Sequence, residues 1–188
     1  MNRIAEIWKK KERQMFMEPQ KDEDTLLIQK KYNSVDFSEK YLVHGTNKEE
    51  ISNRLLSGLA KEIEIVQGVF LNYNIRKKGK ELSFLSGYAC GKRDPESYAF
   101  GLGEGFPGQV ANDRKPIIIN EVPEAYLTIR TGLGEAKPRS MIILPVENNG
   151  KLIGVLELAS FKPFSPEQEK FLVAVAKISG DLMVTQKK

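Results

Sequence analysis

The fold of this chain follows from residues 139–160, Arg-Ser-Met-Ile-Ile-Leu-Pro-Val-Glu-Asn-Asn-Gly-Lys-Leu-Ile-Gly-Val-Leu-Glu-Leu-Ala-Ser. Two apolar runs, 141–146 and 152–159, flank Asn149-Gly150, a dipeptide that favours a tight hairpin turn because both residues tolerate positive φ. Neither run alternates apolar with polar side chains, which predicts strands buried on both faces. The segment therefore predicts a β-hairpin in the middle of a sheet, with one layer above it and another below.

Two residues inside this hairpin predict irregular pairing. Pro145 cannot donate a backbone hydrogen bond to a neighbouring strand. Gly154 is expected roughly opposite it, where a glycine typically marks a bulge or a close approach of two backbones.

Capping residues and apolar spacing predict three helices. A capping box at residues 46–49, with Thr46 as the cap and Glu49 reaching back, opens a helix over about 47–61. A short helix over 107–113 is expected to carry Pro107 in its first turn, after the glycine-rich residues 100–110. A second capping box at residues 165–168 opens the last helix.

The last helix carries apolar residues at a spacing typical of a helix–helix seam, namely Phe171, Val175, Ile178 and Leu182. Further apolar residues make it hydrophobic on more than one side. A helix of this kind can cover its own sheet and a second chain at once, which predicts a homodimer. The alternative is a helix buried within one chain.

Further strands are predicted at 64–73, 81–90 and 117–119, and residues 121–138 are predicted to form a long loop. Loops of that length inside a compact domain are commonly functional. The order of elements predicts an α+β domain with a mainly antiparallel sheet between terminal helices and loops. This domain is assigned to residues 45–188, and residues 1–44 are assigned to a charged N-terminal arm or helix with a linker. The arm either packs on a partner or, as we favour, is a solvated lead-in.

Composition excludes several classes of function. The chain has 188 residues, 29 basic and 25 acidic, and its net charge of +4 is spread along the sequence, so nucleic acid is not an expected partner. The single cysteine, Cys90, cannot form an internal disulfide, and with the single histidine it cannot assemble a zinc site, so no metal is expected. The sequence shows neither the apolar core of a signal peptide nor a membrane span, which predicts a cytoplasmic protein.

Two segments resemble the conserved motifs of GAF domains. Residues 104–115, Glu-Gly-Phe-Pro-Gly-Gln-Val-Ala-Asn-Asp-Arg-Lys, and their continuation 116–123 resemble the glycine-containing helix start and following strand. Residues 151–169 resemble the closing strand and the start of the last helix. The resemblance covers about residues 46–186 and implies a six-stranded antiparallel sheet with terminal helices on one face. On the other face, loops and short helices form a pocket, as in the GAF/PAS type of fold.

The resemblance implies a non-catalytic sensory module in signal transduction. Such a module binds a small ligand and relays through dimeric terminal helices to an output protein, such as a kinase or regulator. The ligand and any cofactor stay unknown from sequence. Because Cys90 is followed by glycine and not histidine, a covalent bilin is not expected, and the positions that mark cyclic-nucleotide binders do not match either. No output domain follows the last helix, so we expect either a stand-alone module or a fragment.

Placement of strands and loops in the family suggests residues for the pocket. Tyr88, Phe106, Tyr126 and Ile129 are expected to line it, unless they simply fill it. Cys90 is a further candidate, with a buried inert thiol as the favoured alternative. Arg139 is a candidate for meeting an anionic ligand, with a surface ion pair as the alternative.

Two other functions stay open. The first is a purely structural dimerisation module with a filled core. The second is a free methionine sulfoxide reductase, an enzymatic branch of the fold whose chemistry requires a second thiol to resolve the oxidised one. With Cys90 as the sole cysteine, we expect no enzyme activity.

Overall fold

The computed structural model describes residues 32–76, 79, 81–90, 98–123, 126–131 and 134–185. Within these residues the chain forms four helices and seven strands: α1 Ser34–Tyr41, α2 Lys48–Glu62, β1 Gln67–Tyr73, β2 Leu82–Tyr88, α3 Gly105–Asp113, β3 Ile117–Ile119, β4 Ile129–Thr131, β5 Gly134–Ala136, β6 Ser140–Asn148, β7 Lys151–Ser160 and α4 Pro166–Thr185. None of the described helices is long and apolar enough to cross a membrane.

The central hairpin forms as predicted. Strands β6 and β7 pair antiparallel from Ser140 opposite Ser160 to Asn148 opposite Lys151. Asn149 and Gly150 make the turn with φ values of 48° and 73°, the positive values that a tight hairpin turn requires. The register shifts between Val146 and Glu147.

Gly154 lies opposite Val146 and against strand β1. A Cβ at this position would overlap the carbonyl oxygen of Leu71 and lie 2.7 Å from the Phe70 ring. The predicted close approach of backbones is therefore confirmed.

The main sheet has five strands in the order β2-β1-β7-β6-β3, and every neighbouring pair is antiparallel. The α+β class is confirmed, but the expected six-stranded sheet is wrong by one strand in the described residues. Strands β4 and β5 occur where a long loop was predicted. They are three residues each and pair with each other as a separate ribbon, so they do not widen the main sheet.

Apolar layers cover both faces of the hairpin because successive side chains on β6 and β7 point in opposite directions. On one face Ile142, Leu144, Leu156 and Leu158 pack with residues of α1, α2 and α4 in one core cluster. On the other face a second cluster contains Met141, Ile143, Val155 and Ala159 from these strands, Val69 and Leu71 of β1, and Val110 and Ala111 of α3.

The helix caps follow the predicted chemistry, with one shift. Ser165 and Gln168 form the expected capping box: the Ser165 N–H donates to Gln168 Oε1 at 2.9 Å, and the Gln168 N–H donates to Ser165 Oγ at 3.3 Å. Helix α2 is capped by Asn47 and not by Thr46, since Asn47 Oδ1 accepts from the Glu50 N–H at 2.9 Å. Asparagine is at least as good a cap as threonine, and Glu50 then reaches back to the Thr46 N–H at 3.0 Å.

Helix α1 packs on the domain although the sequence places it in the arm. The Phe37 ring is buried and meets Phe171 of α4 edge-on at 5.5 Å between ring centres. The Tyr41 hydroxyl donates to Glu62 Oε1 at 2.7 Å, which ties α1 to α2. The compact unit that holds the sheet begins at Tyr32. The rest of the predicted arm, residues 1–31, lies outside the described residues.

Candidate functional site

A cavity of about 220 Å³ lies on the face of the sheet opposite α1, α2 and α4. Its floor consists of strands β1, β6 and β7, and its walls come from the segments before α3 and before β4. The lining residues are Gln67, Gly68, Val69, Tyr98, Phe100, Tyr126, Leu127, Met141, Glu157 and Ala159. Most of this lining is apolar or aromatic, with a small number of polar groups, which is the usual composition of a small-molecule site.

Strand register places two polar side chains in the floor. Val69 pairs with Glu157, and Gln67 pairs with Ala159. Gln67 and Glu157 are therefore diagonal neighbours on the same face of the sheet, a relation that separates residues by about 7–8 Å. Both side chains line the cavity.

Glu157 is bound by a residue of the cavity wall. The Tyr126 hydroxyl donates a hydrogen bond to Glu157 Oε1 at 3.2 Å. Burial of the phenol, followed by the charge of the Glu157 carboxylate and this hydrogen bond, raises the pKa of Tyr126 above its ordinary value of 10.0. At neutral pH the phenol is therefore protonated and acts as a donor to the carboxylate.

Gln67 differs from Glu157 in its hydrogen bonding. The residue is 6% exposed, and among the described residues its Oε1 has no hydrogen-bond partner. A buried acceptor left unsatisfied costs about 1–3 kcal/mol. Burial of the Gln67 side chain therefore carries a cost that no described residue offsets.

Three of the sequence-predicted pocket residues lie at or next to the cavity. Tyr126 lines it. Phe106 packs against the Tyr126 ring at 5.0 Å between ring centres, and so supports the wall from behind. Cys90 is partly buried, and its Sγ donates to the Gly68 carbonyl oxygen at 3.3 Å. Gly68 is a lining residue, so the thiol contacts a residue of the cavity without lining it itself.

The other three predicted residues do not line the cavity. Tyr88 lies at the end of the edge strand β2 and is 37% exposed. Ile129 is buried within the β4–β5 ribbon. Arg139 precedes β6 with an exposed side chain, and its backbone N–H donates to the Ser160 carbonyl at 2.9 Å. Sequence position near a pocket-forming strand did not determine which way these side chains point.

Sequence reasoning missed Gln67 and Glu157, the polar groups of the floor. The sequence could have indicated Glu157, because it is the one charged residue in the apolar run 152–159. A charge in a strand that is buried on both faces needs polar surroundings. No pattern in the sequence indicates Gln67, since a glutamine at the start of a strand is ordinary.

Backbone N–H groups of the glycine-rich segment before α3 donate hydrogen bonds to carboxylates of the same chain. The Gly101 N–H donates to Glu104 Oε2 at 2.8 Å, and the Leu102 N–H donates to Glu81 Oε2 at 3.3 Å. A Cβ at Gly108 would overlap the Gly101 carbonyl oxygen. The backbone donors named here already bind carboxylates of the same chain, which agrees with a structural role and not with phosphate binding.

Three of the four seam residues of the last helix, Phe171, Val175 and Leu182, pack against their own chain. Phe171 and Val175 are 5% and 1% exposed within the core, and Ile178 and Leu182 are partly buried. The apolar residues of α4 that are exposed are Val173 and Val184. Homodimer formation through this helix stays a prediction. Among the described residues no group of three or more His, Cys, Asp or Glu side chains is placed to hold a metal ion.

Comparison with known proteins identifies the fold. The GAF domain of a phosphoenolpyruvate-protein phosphotransferase from Coxiella burnetii superposes with a TM-score of 0.67 at 18% identity, over 84% of this chain and 93% of that one. The corresponding Acinetobacter domain gives 0.62 at 16% identity, over 85% and 94%. Free methionine-R-sulfoxide reductase from Neisseria meningitidis, in complex with its substrate, gives 0.65 at 17% identity, over 82% and 87%.

No curated protein matches the sequence. A family model for the GAF domain matches residues 45–183, most of the chain. With the antiparallel sheet, the helical layer on one face and the cavity on the other, this match establishes that the chain belongs to the GAF domain family.

Proposed function

We propose that this chain is a non-catalytic, cytoplasmic regulatory module that binds a small molecule in the cavity above β1, β6 and β7 and relays its presence through the terminal helices. GAF domains are generally sensory or regulatory. The observation that carries the proposal is the cavity itself, whose apolar walls surround Gln67 and Glu157. A closed structural core would have no reason to place two polar side chains in its floor.

Strand β6 provides a route from the cavity to the helices. Met141 lines the cavity near one end of the strand. Near the other end, the backbone of Glu147 lies directly against Gly180 of α4, so close that a Cβ on Gly180 would overlap the Glu147 carbonyl oxygen. A displacement of β6 would therefore reach α4 without a flexible side chain between them. The ligand must bind two arrangements of α4 unequally, or it would shift nothing.

The proposed output is a change in a homodimer or in a signalling partner such as a kinase or regulator. Helix α4 and α1 lie together on the face opposite the cavity, joined by the Phe37–Phe171 contact. The exposed Val173 and Val184 of α4 offer apolar surface for a second chain.

Native mass spectrometry of gently purified protein tests the proposal, because it reads stoichiometry and bound mass together. We expect a dimer that carries a discrete extra mass. In the variant Ala159→Leu, which fills the floor of the cavity, that mass should be lost. The matched control Ala136→Leu, on the exposed β5, should keep it. A dimer without any added mass favours the structural dimerisation module, and a clean monomer refutes relay through a dimer.

Free methionine sulfoxide reduction is the second candidate, because several structural neighbours are such enzymes. The surroundings of Cys90 argue against it. Among the described residues, its thiol can donate its one hydrogen to the carbonyl oxygen of Gly68 or of Tyr88, and carbonyl dipoles do not stabilise a thiolate. Turnover of free methionine-R-sulfoxide with an external thiol, abolished in Cys90→Ala, would overturn the non-catalytic proposal.

A further inference from the structure

We propose that the side chain of Tyr126 is a gate that controls the entry of small molecules into the cavity, and that its hydrogen bond to Glu157 holds the gate closed. This inference goes beyond the proposed function but rests on it, since a gate has a role only if the cavity takes up a ligand.

The first step is the position of Tyr126 at the mouth of the cavity. Six of the described lining residues are buried: Gln67, Gly68, Val69, Tyr98, Met141 and Ala159. Phe100, Leu127 and Glu157 are partly buried, and Tyr126 is 38% exposed. A side chain that borders both the solvent and the cavity lies at the opening between them.

The second step is what holds the Tyr126 side chain in place. Its hydroxyl donates to Glu157 Oε1 at 3.2 Å, and its ring packs on the Phe106 ring at 5.0 Å between ring centres. Because Glu157 belongs to the floor and Tyr126 to the wall, this hydrogen bond joins wall to floor across the opening. The backbone is held separately, since the Tyr126 N–H donates to the Pro123 carbonyl oxygen at 2.9 Å. The part that moves is therefore the side chain.

The third step is what opening requires. Rotation of the Tyr126 side chain breaks one hydrogen bond and one ring contact, and it leaves the hydrogen bonds of the main sheet intact. Openings of this size are local equilibria that need far less free energy than global unfolding. Beyond the open gate lies the floor at Val69, which is opposite Glu157 in the pairing of β1 with β7. A hydrogen bond to an ionised acceptor is stronger than one between neutral groups, so loss of the Tyr126 hydroxyl should shift the equilibrium towards the open form.

The rate at which a thiol on the cavity floor reacts with iodoacetamide measures this opening, whatever the ligand is. The full chain first loses its one cysteine through Cys90→Ala. Val69→Cys then introduces a thiol into the floor, and Ala159→Cys is a second floor position that should give the same result. In a separate protein, Ile142→Cys introduces a thiol into the core on the helix face of the sheet. Reaction at that position requires the core itself to open, so it reports loosening of the domain.

Each of these proteins is compared with and without Tyr126→Phe, which removes the hydroxyl and keeps the ring. The matched control is Tyr41→Phe. The Tyr41 hydroxyl also donates to a glutamate, Glu62 Oε1 at 2.7 Å, but it does so between α1 and α2 on the side of the sheet away from the cavity.

We expect the thiol of Val69→Cys to react faster than that of Ile142→Cys. Tyr126→Phe should raise the rate for Val69→Cys by about tenfold, which corresponds to the loss of one hydrogen bond of about 1.4 kcal/mol. It should leave the rate for Ile142→Cys unchanged, and Tyr41→Phe should leave the rate for Val69→Cys unchanged.

Two kinds of result overturn the inference, and they are distinguishable. If Tyr126→Phe leaves the floor thiol as slow as before, accelerates both thiols equally, or has no larger effect on the floor thiol than Tyr41→Phe, then Tyr126 is not a gate and the cavity function stands. If the thiol of Val69→Cys reacts no faster than that of Ile142→Cys in any of these proteins, small molecules do not reach the cavity, and the proposed function fails together with the inference.

Discussion

Replacing Gly180 with alanine sets helix propensity against packing. Gly180 is a buried residue in the interior of α4 and faces the backbone of Glu147 in β6. By propensity alone, alanine in place of glycine stabilises a helix by about 1 kcal/mol. A Cβ at this position would, however, overlap the Glu147 carbonyl oxygen and lie 2.7 Å from the carbonyl carbon and 3.0 Å from the amide nitrogen.

The packing cost is larger than the gain in helix propensity, so Gly180→Ala should lower the free energy of unfolding. Carbon atoms in contact are optimally about 3.5–4.0 Å apart, so α4 must withdraw from β6 by roughly 1 Å. Overpacking of this kind costs about 1–3 kcal/mol, and a backbone neighbour cannot relieve it by changing rotamer. We place the cost near the upper end, so the net loss in the free energy of unfolding is about 2 kcal/mol. At about 2–4 °C per kcal/mol for a chain of this size, Tm falls by about 4–8 °C.

Thermal unfolding followed by circular dichroism measures this effect. The control is Lys177→Ala, an exposed position on the same helix, which should change Tm little. If Gly180→Ala raises Tm by the few degrees that propensity alone predicts, the reasoning is refuted. The contact between β6 and α4 would then be loose, and it could not carry the proposed relay.

Three further predictions concern single side chains. Gln67→Leu should raise the free energy of unfolding by about 1 kcal/mol because it removes a buried acceptor without a partner among the described residues. The control is Gln109→Leu, the same substitution at an exposed position on α3, and calorimetry that shows no gain over this control would contradict the prediction. The raised pKa of Tyr126 means that its contribution to stability is fully present below pH 10.0 and is lost as pH rises through the folded-state pKa. Ultraviolet titration of tyrosinate should show this phenol ionising above pH 10.0, and at lower pH in Glu157→Gln; an unchanged titration would argue against the contact. Hydrogen bonds from Lys40 and Tyr41 lower the pKa of Glu62, so its contribution is present above pH 4.5 and is lost as pH falls through the folded-state pKa. Glu62→Gln should flatten the fall of Tm in acid, and an equal acid slope in both proteins would exclude this contribution.

Local signals in the sequence were sufficient for most of the fold. The Asn149-Gly150 turn depends on two adjacent residues, and the Ser165 cap on a span of four. The unbroken apolar runs on either side of the turn correctly predicted a hairpin covered on both faces. Each of these features is set by neighbours along the chain, so it can be predicted without knowing the tertiary structure.

Features that depend on competition between neighbours were predicted less well. Thr46 and Asn47 are adjacent candidates for one helix cap, and the side chain of Glu50 completes the box around Asn47. The β4–β5 ribbon was missed because three-residue strands carry too little pattern to separate them from a loop. Helix α1 offers only Phe37 as a buried apolar side chain in its interior, so its packing on α4 is not visible as periodicity.

The site was predictable only in outline. Resemblance to the family indicated a cavity opposite the helices and identified Tyr126 as a lining residue. It did not identify Gln67 and Glu157, and it suggested Tyr88 and Ile129, which do not line the cavity. Arg139, suggested by its position before the central strand, does not line it either.

The sequence by itself determined which segments form the five strands of the main sheet and helices α2, α3 and α4, where the central hairpin turns, and to which family the chain belongs, because these depend on short-range periodicity, caps and turn residues. Only the tertiary structure decided which side chains share the cavity. Strands β1 and β7 are distant along the chain, and their pairing register brings Gln67 and Glu157 together on one face. A shift of that register by one residue would turn β1 over relative to β7. That long-range register is the physical reason why the fold could be predicted from the sequence and the chemistry of the cavity floor could not.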